Sequence, residues 1–157
     1  QHSQRWLSGD YTANNLEFEI LLSEIAKGDG GALLQALTKQ ESHLADANTL
    51  LTKKISSGPL CTKQFRDSAA DILPNVVKSY FIAKVQPWSA DLGRRYHELL
   101  HAVSKLEESL SAGISEKYEY WRRERNNTFT VAMKAPKNHV DRLKETLESC
   151  GGFGNLT

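Results

Sequence analysis

The sequence is short of residues that staple, span or punctuate a chain. It holds two cysteines in 157 residues, Cys61 and Cys150, and neither belongs to a C-x-x-C pair. That excludes a disulfide-dense scaffold and a zinc ribbon. Two isolated cysteines suit a reduced protein, so free thiols and a cytoplasmic location are expected. A disulfide tying the last helix to mid-chain would instead mean a secreted or extracellular protein. No stretch approaches the roughly 18 apolar residues that span a bilayer, and nothing near the start reads as a signal peptide. Net charge is only +1, from 20 basic and 19 acidic residues, which leaves no unneutralised cluster for nucleic acid. The single methionine is Met133, so the chain reads as an excised domain or a processed product. The acceptor patterns at Asn126 and Asn155 are no more than eight asparagines yield by chance.

What is present is helical periodicity. A polar arm at 1–11 precedes a single domain at 12–150 and a flexible tail at 151–157. A first helix is expected from a cap at Asp10 or Thr12 to about Lys27, with Leu16, Ile20, Leu21 and Ile25 on one face. Gly28-Asp29-Gly30-Gly31 stops it, and has neither the strand nor the lysine of a phosphate loop. A second helix, Ala32 to about Ser56, places Leu34, Leu37, Leu44, Leu51 and Ile55 in heptad register. Glu41 and Asn48 fill the remaining core positions, and such polar residues either reach water or fix a partner and register.

A third segment, Thr62 to Val85, carries Phe65, Ala69, Ile72, Val76, Val77, Tyr80 and Phe81 inward. Pro74 should kink or break it. Gln86-Pro87 is expected to turn the chain into a fourth helix, striped by Leu92, Tyr96, Leu99, Val103, Leu106 and Leu110. Gly113 weakens that helix, and Ser115 can start a fifth ending near Asn126-Asn127. Thr128–Met133 is irregular or helical. Asn138 can cap a last helix carrying Val140, Leu143, Leu147 and Cys150, which Gly151-Gly152 stops. The fold class expected is all-α, an antiparallel bundle of four to six helices with partial heptad packing.

His97-Glu98-Leu99-Leu100-His101 spells H-E-x-x-H, the pattern that sets two imidazoles one turn apart for zinc with a glutamate as base. The third ligand has no motif: Ser104 and Glu107 stand where metzincins need glycine and histidine, leaving only Glu116, Glu119 or Glu124. Arg94 adds a cation one turn away. Arg95 and His101 enclose five residues, a spacing that resembles the Arg-x(4–6)-His signature of HEPN-type RNases over these residues alone. That resemblance implies a phosphate-stabilising arginine and a proton-transferring histidine.

Around Trp121 lies a run rich in tyrosine and arginine. Tyr120, Arg122, Arg123 and Arg125 are the residue types that dominate protein interfaces. Tyr118 and Trp121 are expected to pack inward, with Arg122 and Arg125 in solvent. The function expected is a non-enzymatic interaction module, an adaptor, scaffold or effector domain. It would bind another protein through the Tyr120, Arg122, Arg123, Arg125 patch, with Glu41 and Asn48 as lesser candidates and self-association through helix stripes as a further use. No cofactor is expected. The alternatives are a zinc hydrolase using His97, Glu98 and His101, or a bundle that binds an anionic membrane or RNA.

Overall fold

A computed structural model describes residues 2–12 and 15–152. The protein is an all-α bundle, and no strand occurs among the described residues. In chain order its helices are α1 (His2–Leu7), α2 (Asn15–Lys27), α3 (Gly30–Ser56), α4 (Ala69–Val76), α5 (Gln86–Ser109) and α6 (Glu116–Leu147). A π-helical segment, Val77–Val85, joins α4 to α5 without a turn. Backbone angles at Val77 and Gln86 are helical, so 69–109 forms one continuous rod. Short 3₁₀ turns, Ser111–Gly113 and Glu148–Cys150, follow α5 and α6.

Three apolar layers fix the topology. Leu33 and Leu37 meet Leu92, Tyr96, Phe129 and Ala132. Leu44 meets Phe81 and Ala135, and Leu60 meets Ala70 and Leu147. Residue numbers rise together along α3 and α6 and fall along the rod. The rod is therefore antiparallel to a parallel α3–α6 pair. Tyr96 and Phe129 lie with ring centroids 4.7 Å apart. A Cβ on Gly93 would come within 3.1 Å of Met133, so glycine there lets α5 approach α6.

Several boundaries differ from the sequence expectation, each for a local reason. Neither proline breaks the rod. A π-helical ladder reaches one residue further than an α-helical one and relieves the ring–carbonyl clash around Pro87. α6 runs unbroken through Asn126-Asn127 and Pro136 because Phe129, Ala132, Ala135 and His139 keep one buried face across them. The second helix begins at Gly30, and α2 at Asn15 rather than Thr12. Asp10 accepts from the Thr12 amide at 3.0 Å and pairs with Arg5 at 2.8 Å, so it closes the turn before α2. The polar arm contains α1, whose Trp6 meets Phe18 edge to face at 5.2 Å.

Two starts and stops match. Ser115 caps α6, its Oγ accepting from the Tyr118 amide at 3.3 Å, and Gly151 ends the chain's last turn at φ 94°, where other residues are strained. Residues 153–157 of the expected tail, with Asn155, lie outside the described residues.

The buried stripes are rotated from those expected. On α3, Leu33, Leu37, Gln40 and Leu44 are buried, while Leu34 is exposed. On α5, Leu92, Gly93, Tyr96 and Glu107 are buried, Val103 is half-buried, and Leu99 and Leu106 are exposed. Phe65, Ile72, Val76 and Tyr80, expected inward, are also exposed. On α3 the observed stripe keeps the 4-3 spacing but starts at Leu33, so the spacing was right and the phase was not: leucines on both sides of the core-facing line left the phase open.

The cysteines are not free thiols: Cys61 and Cys150 form a disulfide. The α3–rod loop folds back beneath buried Leu60, and the α6 terminus lands at the same end of the bundle. The bond closes a loop across 89 residues. Loop closure of that span, less native strain, contributes about 2–5 kcal/mol. Paired Cys61→Ser and Cys150→Ser substitution should lower unfolding free energy by that amount in urea titration, with helical circular dichroism retained. An unchanged midpoint would mean the bond contributes nothing.

Candidate functional site

An apolar groove runs between α3 and the rod, floored by α6. Its walls include Leu44, Ala47, Leu50, Leu51, Leu73, Val76, Val77, Tyr80 and Phe81, and it encloses about 330 Å³. The π-helical turn shapes it. Val77 and Phe81 are buried, whereas Tyr80 and Ile82 face outward. π-Turns inside α-helices are rare and concentrate at functional sites.

His139 and Leu143 of α6 complete the floor. His139 Nδ1 lies 2.7 Å from the Asn48 side-chain oxygen, which accepts, so the ring carries its proton on Nδ1. Phe81 packs on the imidazole with centroids 5.1 Å apart. Burial pushes the His139 pKa below its ordinary 6.5 and keeps the ring neutral. Asn48 thus turns inward and sets the register of α3 on α6, the second of the two roles its heptad position allowed. Glu41 is half-buried.

The groove's outer rim is apolar with sparse charge. Between Ile72 and Ala90 the rod carries only Lys78 and Lys84, and Lys84 Nζ sits 5.1 Å over the Tyr80 ring. On α3, Asp46 and Lys53 offset one another. Leu50 on that rim is 68% exposed. A larger cavity beside the disulfide, about 500 Å³, is lined by Ile55, Pro59 and Leu60 together with Glu145, Thr146, Glu148 and Ser149, so its apolar wall is shorter and interrupted by carboxylates.

The aromatic–arginine run lies at the opposite end of the bundle, and its packing is the reverse of that expected. Trp121 is 52% exposed and Tyr120 is exposed, while Arg125 is drawn in. Arg125 donates to both oxygens of Glu107, at 2.6 and 3.1 Å, and Tyr118 donates its hydroxyl to the same carboxylate at 2.8 Å. Glu107 is only 6% exposed, and the Arg125 hydrogen bonds hold its pKa low. The guanidinium also lies 5.0 Å from the Trp121 ring. Arg122 pairs with Glu119 at 2.6 Å. Of the four patch residues, Tyr120 and Arg123 are exposed without an ion pair of their own, while Arg122 and Arg125 are engaged.

The H-E-x-x-H residues do not form a constellation. His97 and His101 are exposed on α5, Glu98 pairs with Arg94 at 3.0 Å, and His97 packs beside Tyr96. Among the described residues no three histidine, cysteine or acidic side chains group as metal ligands. Arg95 pairs with Asp29 across the α2–α3 junction rather than facing His101. No helix among the described residues is long and apolar enough to cross a membrane.

A family model described as "Protein of unknown function (DUF3080)" matches residues 1–152. The chain belongs to this family. No curated protein and no solved structure matches it. The match covers the disulfide, the groove and the Glu107–Arg125 cluster alike, so all three lie within the family's own unit. Sequence reasoning passed over the groove: Asn48 and the two prolines flagged its edges, but the π-turn between them has no local pattern.

Two outcomes follow. Glu107→Ala leaves a nearly buried guanidinium uncompensated and should cost about 3 kcal/mol by chemical denaturation. Replacing Glu107 and Arg125 together by methionine should recover most of that loss. Because Glu107 is held below its ordinary 4.5, its contribution is complete above that pH and lost as pH falls through the folded-state value. His139 acts in the same direction in a higher window. Below about 6.5 the unfolded chain binds a proton that the buried ring refuses, so stability declines as pH falls from there. His139→Leu should flatten that part of the stability–pH profile, and an unchanged slope would show that the ring titrates normally.

Proposed function

We propose that this chain is a non-enzymatic interaction module that receives an apolar, acidic helix of a partner protein in the groove between α3 and the rod. The observation that carries this reading is the uncovered apolar wall at the π-turn. Leu50, Val76 and Tyr80 line the groove and are exposed, and Ile72 is exposed on the adjoining surface beside Leu51, Leu73 and Val76. Patches of this kind mark partner surfaces in stable proteins. An amphipathic helix laid in such a groove would bury its apolar side against these residues. The lysine-only charge of the rod wall favours glutamate on the incoming helix.

The other readings find less support. Most cations of α6 are paired, as in Arg122–Glu119, Arg125–Glu107, Lys137–Asp141 and Arg142–Glu145. Little free positive charge is left for RNA or an anionic bilayer. The scattered placement of His97, His101 and their neighbours gives a zinc hydrolase or a HEPN-like RNase no assembled centre. The disulfide favours action in an oxidising compartment over the cytoplasm.

A fluorescent synthetic helix of leucine, isoleucine, alanine and glutamate serves as the probe. Anisotropy titration should show saturable binding to the full chain. Leu50→Glu or Tyr80→Glu should weaken it by more than about tenfold, both positions being solvent-facing and tolerant of charge. The same helix with lysine for glutamate should bind poorly. Equal affinity for wild type and both variants would contradict the groove.

A further inference from the structure

α2 is the least covered helix in the molecule. Its sequence, Asn15–Lys27, interleaves seven apolar residues with Glu17, Glu19, Ser23, Glu24 and Lys27, enough apolar surface for a helix that packs against a neighbour. Yet Leu16 (66%), Ile20, Leu21, Leu22 and Ile25 (71%) are all exposed, and only Phe18 is turned against α1. The whole chain exposes 11078 Å². A folded monomer of 17.6 kDa should expose about 7,900 Å². The excess, roughly 3,000 Å² on one chain, is more than the about 1,000–2,500 Å² that each copy of a permanent homodimer buries.

α2 cannot cover its own groove, because both its ends are held elsewhere. Through Trp6 and Phe18 it is joined to α1, whose Leu7 sits against Gly113 in a cavity shared with Val103, Leu106 and Tyr118. At its other end Asp29 pairs with Arg95, and Gly30 lies beside Leu99. Tyr80 lies fifteen residues back along the rod from Arg95, about 22 Å away at the α-helical rise. α2 therefore stands beside the 95–109 end of the rod and the turn that follows it, while the groove opens beside 73–85.

The two uncovered surfaces match in charge as well as in polarity. α2 carries Glu17, Glu19 and Glu24 against Lys27, with Glu24 paired to Lys27 and Glu17 to His2, and the rod between Ile72 and Ala90 carries Lys78 and Lys84. We infer that the chain forms a symmetric dimer in which α2 of each copy lies in the groove of the other. This rests on the groove reading above and names its partner as a second copy of this chain. A two-fold axis makes the exchange reciprocal, so the assembly closes and leaves neither apolar surface free. An anionic membrane is a poorer cover for α2, whose net charge is negative.

Sedimentation equilibrium of the full chain over the micromolar range tests this directly. The expected result is a species of twice the chain mass. Ile25→Glu on α2 and Tyr80→Glu in the groove should each raise the dissociation constant more than about tenfold with circular dichroism unchanged. Mixing these two variants should restore part of the dimer, because a heterodimer regains one intact α2–groove contact. A wild-type monomer throughout, or variants that still dimerise, would overturn the inference. If the wild type stays monomeric but binds the synthetic helix, only the choice of partner fails. If Tyr80→Glu leaves synthetic-helix binding intact, the groove itself fails.

Discussion

Within the frame set by the three apolar layers, the hydrogen bond between Asn48 and His139 is the directional contact that fixes how α3 sits on α6. It joins half-buried Asn48 of α3 to buried His139 of α6, and a shift of either helix by one turn would leave the imidazole unsatisfied. Such a shift is costly, while the net worth of the bond itself is modest. Its role is to specify register. With register set, Phe81 has one place to go, against the imidazole, and the rod is placed with it. The Cys61–Cys150 disulfide closes the same seam at its end, and Ser89 donating to Gln40 at 2.6 Å ties the rod to α3 one layer away. Among the described residues no buried side-chain nitrogen or oxygen lacks a partner.

The groove is a consequence of that arrangement. A rod held at Phe81 by His139 and at Leu92 and Tyr96 by the central layer must pass the intervening residues with two prolines at its margins. The π-turn meets that demand, burying Val77 and Phe81 and leaving Tyr80 exposed on the groove wall. The space left between it and α3 is lined by leucine and valine. The groove thus follows from how the chain accommodates its prolines.

The sequence made the fold class legible and much of the site illegible, for identifiable reasons. Periodic leucines in α3 and α5 were enough to establish an all-helical bundle, and Ser115 and Gly151 marked real ends. Pro74, Pro87, Asn126 and Pro136 misled because local breakers lose to a buried face that continues across them. Heptad spacing put Leu99 and Leu106 in the core when Glu107 was the residue going there, since a buried arginine partner fifteen or more positions away has no local signature. Cysteine spacing was silent because the two thiols meet only after the bundle forms. Asn48 was the informative residue: its heptad position left open whether it reached water or met a partner, and that partner, His139, lies 91 residues away with no local signature.

The central claim is that two apolar surfaces, α2 and the groove at the π-turn, are each other's cover. Hydrogen exchange resolved to peptides, run on dilute and concentrated protein, tests it most directly. The account predicts that amides of 15–27 and 72–90 slow together as concentration rises, while those of the Leu33–Tyr96–Phe129 layer stay constant. Exchange in both segments that is independent of concentration would contradict it.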